Sequence, residues 1–154
     1  TIVTLLVKNG ADTVFTKTSE EDSLLHYAVS QDSLELIKIL KSKGVDLKQP
    51  LKNDNNALMI AAGKGYEKIT GYLLLQNFDL DKRNNHGNTA LLMAAISNQA
   101  IIAKEIIEAG ANPDLRNNKR EQAITFAQKH KNTELITLLE SASKKQGGIL
   151  RLFK

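Results

Sequence analysis

The sequence predicts an all-α solenoid of helix-turn-helix repeats with hairpin-like loops between the repeats. Three observations carry this. Apolar runs that close on a small or turn-forming residue do so at Gly10, Gly44, Asn77, Gly110 and Ser143, spaced 34, 33, 33 and 33 residues apart. A second column runs in phase: Leu25-His26-Tyr27-Ala28, Leu58-Met59-Ile60-Ala61, Leu91-Leu92-Met93-Ala94 and Ile124-Thr125-Phe126-Ala127 recur every 33 residues. Two independent columns with one period define a repeat array. Third, the chain is 42% hydrophobic but only 5% aromatic, with no Trp. An interior of Leu, Ile and Ala suits thin stacked layers better than one deep core.

Each unit holds two short helices. The first helices are expected over Ser23–Gln31, Ala57–Lys64, Ala90–Ser97 and Ala123–His130, the second over Leu34–Lys43, Tyr66–Gln76, Ala100–Ala109 and Thr133–Ala142. Helices below about 12–15 residues do not persist alone in water, so these are held by stacking on their neighbours. Ala28, Ala61-Ala62, Ala94-Ala95 and Ala127 keep the first helices thin. Gly10, Gly44 and Gly110 stand where a helix closes in a left-handed residue, a conformation Asn77 also tolerates. The polar stretches Lys48–Asn56, Asp81–Asn88 and Asp114–Gln122 read as the connecting loops. Met59 and Met93 occupy matching core-facing positions. Gly71 sits inside a second helix.

The organisation is a half-repeat at 1–13, full repeats at about 17–50, 51–83, 84–116 and 117–146, and a C-terminal tail at 147–154. The half-repeat matches only a second helix, and the chain opens on Thr1, so either further repeats precede it, the favoured expectation, or another element covers its bare edge. The last unit turns polar at Gln128-Lys129-His130-Lys131 and ends on Ser143-Lys144-Lys145, the mark of a capping repeat. Gly147-Gly148 is expected to break the chain before Ile149, Leu152 and Phe153, whose apolar side chains form one helical face. That tail either folds back over the last helices or enters a partner's groove.

Composition removes several functions. Without cysteine there is no disulfide framework and no thiolate metal site. No apolar run approaches a membrane span, and no signal peptide opens the chain, which leads to the expectation of a cytoplasmic protein. Residues 1–115 carry 12 Lys/Arg against 14 Asp/Glu, and residues 116–154 carry 9 against 3. A near-neutral body therefore ends in a basic third, which reads first as a solvated, solubilising end and, as the sharper alternative, as a docking face for an acidic partner.

The pattern resembles the ankyrin repeat, Asp-x-x-Gly-x-Thr-Pro-Leu-His-x-Ala-Ala followed by a loop and a second helix closing on Gly-Ala-Asp. The third full unit matches best, with Asn84, Gly87, Thr89, Leu91, Ala94-Ala95 and Gly110-Ala111-Asn112. The resemblance covers roughly residues 2–143 and implies an ankyrin-type solenoid. The Thr-Pro-Leu-His tetrapeptide is never complete: it reads Ser23-Leu24-Leu25-His26, Asn56-Ala57-Leu58-Met59, Thr89-Ala90-Leu91-Leu92 and Gln122-Ala123-Ile124-Thr125. Only His26 matches the family's inter-loop imidazole, so the loops are expected to be tied less firmly than the family pattern allows.

No catalytic constellation is visible. His26, His86 and His130 lie in different units without metal-ligand spacing, His26 reading as structural and the other two as surface residues. No phosphate loop or nucleophile arrangement is found, and Glu20-Glu21-Asp22 reads as the acidic start of a helix. The expectation is a chain that is not an enzyme, with no cofactor, no metal and no small-molecule substrate, acting as a monomer. The resemblance implies a protein-protein interaction module, an adaptor, an inhibitor or the binding part of a larger protein. It would grip its partner with a concave loop and inner-helix face. Carried over by position, that face is Lys52, Asn53, Asn55 and Lys64; Arg83, Asn85, His86, Asn88, Ile96 and Ser97; and Arg116, Asn118, Lys119, Glu121, Lys129 and His130. Ile96 has no evident core role, and Arg83 and Arg116 are the expected anchors. The alternative is nucleic-acid or other polyanion binding through the basic C-terminal third, disfavoured by the lack of aromatic stacking platforms.

Overall fold

The structure, a computed structural model, describes Leu5, Asn9, Gly10 and residues 24–152, the side chains of 147–152 excepted. Among residues 24–152, eight α-helices alternate between an inner and an outer layer. The inner helices are α1 (Leu24–Ser30), α3 (Ala57–Lys64), α5 (Ala90–Ile96) and α7 (Ala123–Lys129); the outer ones are α2 (Leu34–Ser42), α4 (Glu67–Leu74), α6 (Ala100–Glu108) and α8 (Thr133–Leu152). A short 3-10 turn at Lys52–Asp54 precedes α3. No strand forms among the described residues. Each helix packs on its partner within the unit; inner helices pack on inner helices, and α4, α6 and α8 pack in succession.

The 33-residue period fills this stack column by column. Ala28, Ala61, Ala94 and Ala127 are fully buried where the inner helices meet, because a methyl group lets two backbones approach. Leu36, Ile69, Ile102 and Leu135 form one buried column of the outer layer, and Leu40, Leu73, Ile106 and Leu139 a second. Met59 is buried and Met93 packs against the core. The helix starts follow local chemistry. Asn56 and Thr89 stand at the place of the family's Thr and accept the Met59 and Leu92 N–H at 2.9 and 3.3 Å, each satisfying a first-turn donor. In the last unit Gln122 gives up that role: its amide donates to the Asp114 carbonyl, while its own N–H is received by the Thr125 hydroxyl.

The last helix differs from expectation. Outer helices α2, α4 and α6 stop at Ser42, Leu74 and Glu108, just before Gly44, Asn77 and Gly110 at φ +85°, +54° and +105°. Position 143 is Ser rather than Gly or Asn, and no left-handed residue closes the turn. The helix runs on, through Gly147-Gly148, to Leu152. Two glycines weaken a helix without blocking it sterically, so the expected break is absent. The half-repeat at 1–13 lies outside the described residues, apart from Leu5, Asn9 and Gly10, the last at φ +93°.

Candidate partner-binding face

The face is built from three hairpins and the C-terminal ends of the inner helices. Each hairpin closes in the same way. Leu51, Asn84 and Asn117 donate their N–H to the carbonyls of Asn55, Asn88 and Glu121, at 2.7, 3.0 and 2.9 Å. Successive hairpins are then joined. Asn85 N–H donates to the Asn53 carbonyl at 3.1 Å, and, 33 residues on, Asn118 N–H donates to the His86 carbonyl at 3.0 Å. The Asn118 amide adds a bond to the Asn85 carbonyl at 2.9 Å.

The loops are thus tied without the family's histidine. Asn84 and Asn117, each 8% exposed, are the ties that sequence reasoning missed. The Asn84 Oδ1 receives the N–H groups of His86 and Asn88, both at 2.9 Å, and its amide donates to Asn55 Oδ1 at 2.8 Å. The Asn117 Oδ1 receives those of Lys119 and Glu121 at 2.9 and 3.0 Å. One buried side-chain oxygen thereby satisfies two loop donors. The expectation of weakly tied loops is corrected on this point. The loop before His26 and the acidic run Glu20–Asp22 lie outside the described residues.

The face residues divide by what they do inside the array. Lys52, Asn53, Lys64, Asn85, His86, Ser97, Arg116, Asn118 and Lys119 are exposed; Asn55, Asn88 and Glu121 are half-buried in the hairpin walls. Ile96 is half-buried and is not among the apolar residues packed on the core. Arg83 is engaged: its Nε donates to the Gly87 carbonyl at 3.1 Å and its guanidinium reaches the Arg116 carbonyl, bracing one hairpin against the next. His130, expected as an ordinary surface residue, pairs its Nε2 with the Ile96 carbonyl at 2.9 Å and ties α7 to the end of α5. Lys129 lies 2.8 Å from Glu121 and 4.9 Å above the Phe126 ring. That lysine and the Asn117 amide hold the Glu121 carboxyl below the usual carboxylate range.

The charge of this side is predominantly positive. The four inner helices contain no acidic residue. The loops 48–56, 81–88 and 114–122 contribute Lys48, Lys52, Lys82, Arg83, Arg116, Lys119 and Arg120 against Asp54, Asp81, Asp114 and Glu121. Glu35, Glu67, Glu105, Glu108, Glu134 and Glu140 all belong to outer helices, where lysines are interleaved with them. Among the described residues, no group of three or more His, Cys, Asp or Glu could hold a metal ion, and no helix is long and apolar enough to cross a membrane.

A two-layer helical stack with hydrogen-bonded hairpins along one edge defines a repeat protein of the ankyrin class. The family model for ankyrin repeats (three copies) matches residues 1–84 and 25–117, and the chain belongs to the ankyrin repeat family. Members of this family are generally protein-protein interaction modules and typically not enzymes. An ankyrin repeat domain from Acinetobacter baumannii AYE, solved as a crystal structure, superposes with a TM-score of 0.79 at 29% identity, covering 90% of this chain and 72% of that one. The ankyrin repeat and KH domain-containing protein mask-1 of Caenorhabditis elegans is 31% identical over 90 residues, 58% of this chain and 3% of that protein. An L-asparaginase of Dirofilaria immitis is 35% identical over 88 residues, 57% of this chain and 15% of that protein. The chain spans 15% or less of the length of the first curated relatives it matches.

Proposed function

We propose that this chain is a non-catalytic binding module that grips another protein with its concave loop and inner-helix face. The observation that supports this most is the tied row of hairpins. Backbone bonds between loops hold the exposed tips Asn53, Asn85, His86, Asn118 and Lys119 in fixed register, so a partner meets a preformed surface and little ordering entropy is lost on binding. Ile96 supplies an apolar contact within a polar rim. Arg116, exposed and adjacent to the tips, is the better anchor of the two arginines, because Arg83 serves as a brace. The relatives named above differ widely from one another, which fits a shared recognition scaffold carrying no activity of its own.

The test uses the partner recovered with the full chain as bait and then purified. Arg116→Glu and Lys119→Glu should each weaken binding by about tenfold, as residues near the centre of an interface do. Lys104→Glu, on outer helix α6, should leave the affinity unchanged. The reverse ranking would move the interface to the outer helices.

A further inference from the structure

Two of the basic residues of the last unit stand where their own backbone disfavours them. Arg120 and Lys131 are held at φ +63° and +55°. The matching positions one repeat earlier are Gly87 and Asn98, and one earlier still Asp54 and Gly65, all likewise at positive φ. Glycine adopts this region freely, and Asn and Asp tolerate it by local hydrogen bonding. A long side chain gains nothing there from folding. Both residues are exposed, so no core contact repays the strain. Backbone strain kept at the surface by a residue with no packing role points to a use for its side chain.

The surroundings say what that use is. The four carboxylates of the loops are already engaged: Asp54 with Lys82 at 3.9 Å, Asp81 with the Asn112 N–H at 2.9 Å, Asp114 with the Ser143 hydroxyl at 2.8 Å and Glu121 with Lys129 at 2.8 Å. The inner helices add no acid. Arg116, Lys119, Arg120 and Lys131 therefore present positive charge from the last hairpin and the end of α7. We infer that the partner's docking segment is acidic, and that its carboxylates bind at the last hairpin and the end of α7. This inference rests on the face proposed above and narrows it to one kind of ligand. Guanidinium groups pair with carboxylates through two parallel hydrogen bonds, and a predominantly positive surface speeds the approach of an acidic chain. A nucleic acid fits less well. Its bases need an open aromatic face, whereas Phe126 is half-buried beneath the Lys129 ammonium.

The experiment is a titration of the isotopically labelled full chain with three probes at low ionic strength. They are a peptide of repeated Glu-Glu-Leu-Gly, its Gln-for-Glu counterpart, and an oligothymidylate of equal charge. The acidic peptide should shift the amide signals of the 116–131 region, with an affinity that falls as salt is added. The Arg120→Gly/Lys131→Gly double variant, which relieves both strained positions, should melt no lower than the parent and yet bind the peptide about tenfold more weakly. Equal affinity of parent and double variant would overturn the inference. So would equal binding of the Gln peptide, although shifts confined to the hairpins would then leave the face itself standing. Shifts confined to α2, α4 and α6 would remove the face as well. Tighter binding of the oligothymidylate would assign the basic unit to nucleic acid instead.

Discussion

Positive φ recurs at three places along the repeat. Gly44, Asn77 and Gly110 close the outer helices; Asp32, Gly65, Asn98 and Lys131 turn the chain from inner to outer helix; Asp54, Gly87 and Arg120 lie at the hairpin tips. Only the first column was legible in the sequence, because its Gly and Asn fall where an apolar run closes. Lys131 and Arg120 carry no such signal; their turns close locally, the N–H groups donating to the Gln128 and Asn117 carbonyls. A non-glycine residue in this region costs about 1–2 kcal/mol, and glycine returns roughly half of that as extra chain entropy in the unfolded state. Arg120→Gly and Lys131→Gly should therefore each stabilise the fold by about 1 kcal/mol, read as a rise in Tm of about 2–4 °C. Gly87→Ala should do the opposite. A Cβ there would stand 2.8 Å from the Asn118 backbone nitrogen, and strain with overpacking should cost about 2–3 kcal/mol in chemical denaturation. Glu105 sets a pH dependence. Burial, then Glu67 and Glu108, raises its pKa above the ordinary 4.5, and its Oε2 is buried without a hydrogen-bond partner. The folded chain then binds a proton more tightly than the unfolded chain. Stability falls as pH rises from 4.5 through the folded value. Glu105→Gln should melt higher than the parent at neutral pH, with the difference closing at about pH 4.

At the scale of elements, seven of the eight helices fall within one or two residues of where the 33-residue period puts them. The reason is that apolar columns and terminating glycines coincide. Sequence reasoning failed at α8 for want of the opposite evidence. Gly147-Gly148 looks like a stop, but a helix ends reliably when a residue turns left-handed and donates its N–H to one of the last carbonyls, and position 143 offers none. The hairpins were legible as polar segments but not as a bonded row, because their ties run through backbone groups and through Asn84 and Asn117. Arg83 shows the same limit: an exposed arginine beside a loop tip reads as an anchor until its bonds to Gly87 and Arg116 are seen. Gly71 tests the opposite situation, a residue whose sequence reading and surroundings agree. It lies in the middle of α4, and a Cβ there would meet nothing within 4 Å. Gly71→Ala removes backbone freedom from the unfolded chain without a clash, and should add about 1 kcal/mol. The check is a rise in Tm of about 2–4 °C with no change in the denaturant slope.

For the whole molecule, stability is a chain of nearest-neighbour interfaces, so what matters at an end is whether the last interface is closed. Between units the Asp81 carboxylate receives the Asn112 N–H at 2.9 Å, binding one loop to the next. Asp114 stands 33 residues later, at the same place in the next loop. Instead of a following loop it meets the long helix: the Ser143 hydroxyl donates to it at 2.8 Å. Three residues on, the Gln146 amide reaches the Ala111 carbonyl at 3.5 Å. The extension of α8 thus takes the place of a closing loop and covers the Ala111–Asp114 segment. Truncation after Ala142 should therefore cost about 2 kcal/mol, the sum of two modest hydrogen bonds and some buried apolar surface, and lower Tm by about 4–8 °C. The loss should also be local. In native-state hydrogen exchange, amides of α7 and the start of α8 should lose protection, while those of α3 and α4 keep theirs, because coupling decays with each interface crossed. A uniform loss along the array would mean that the units unfold as one and that the helix extension is not a local cap.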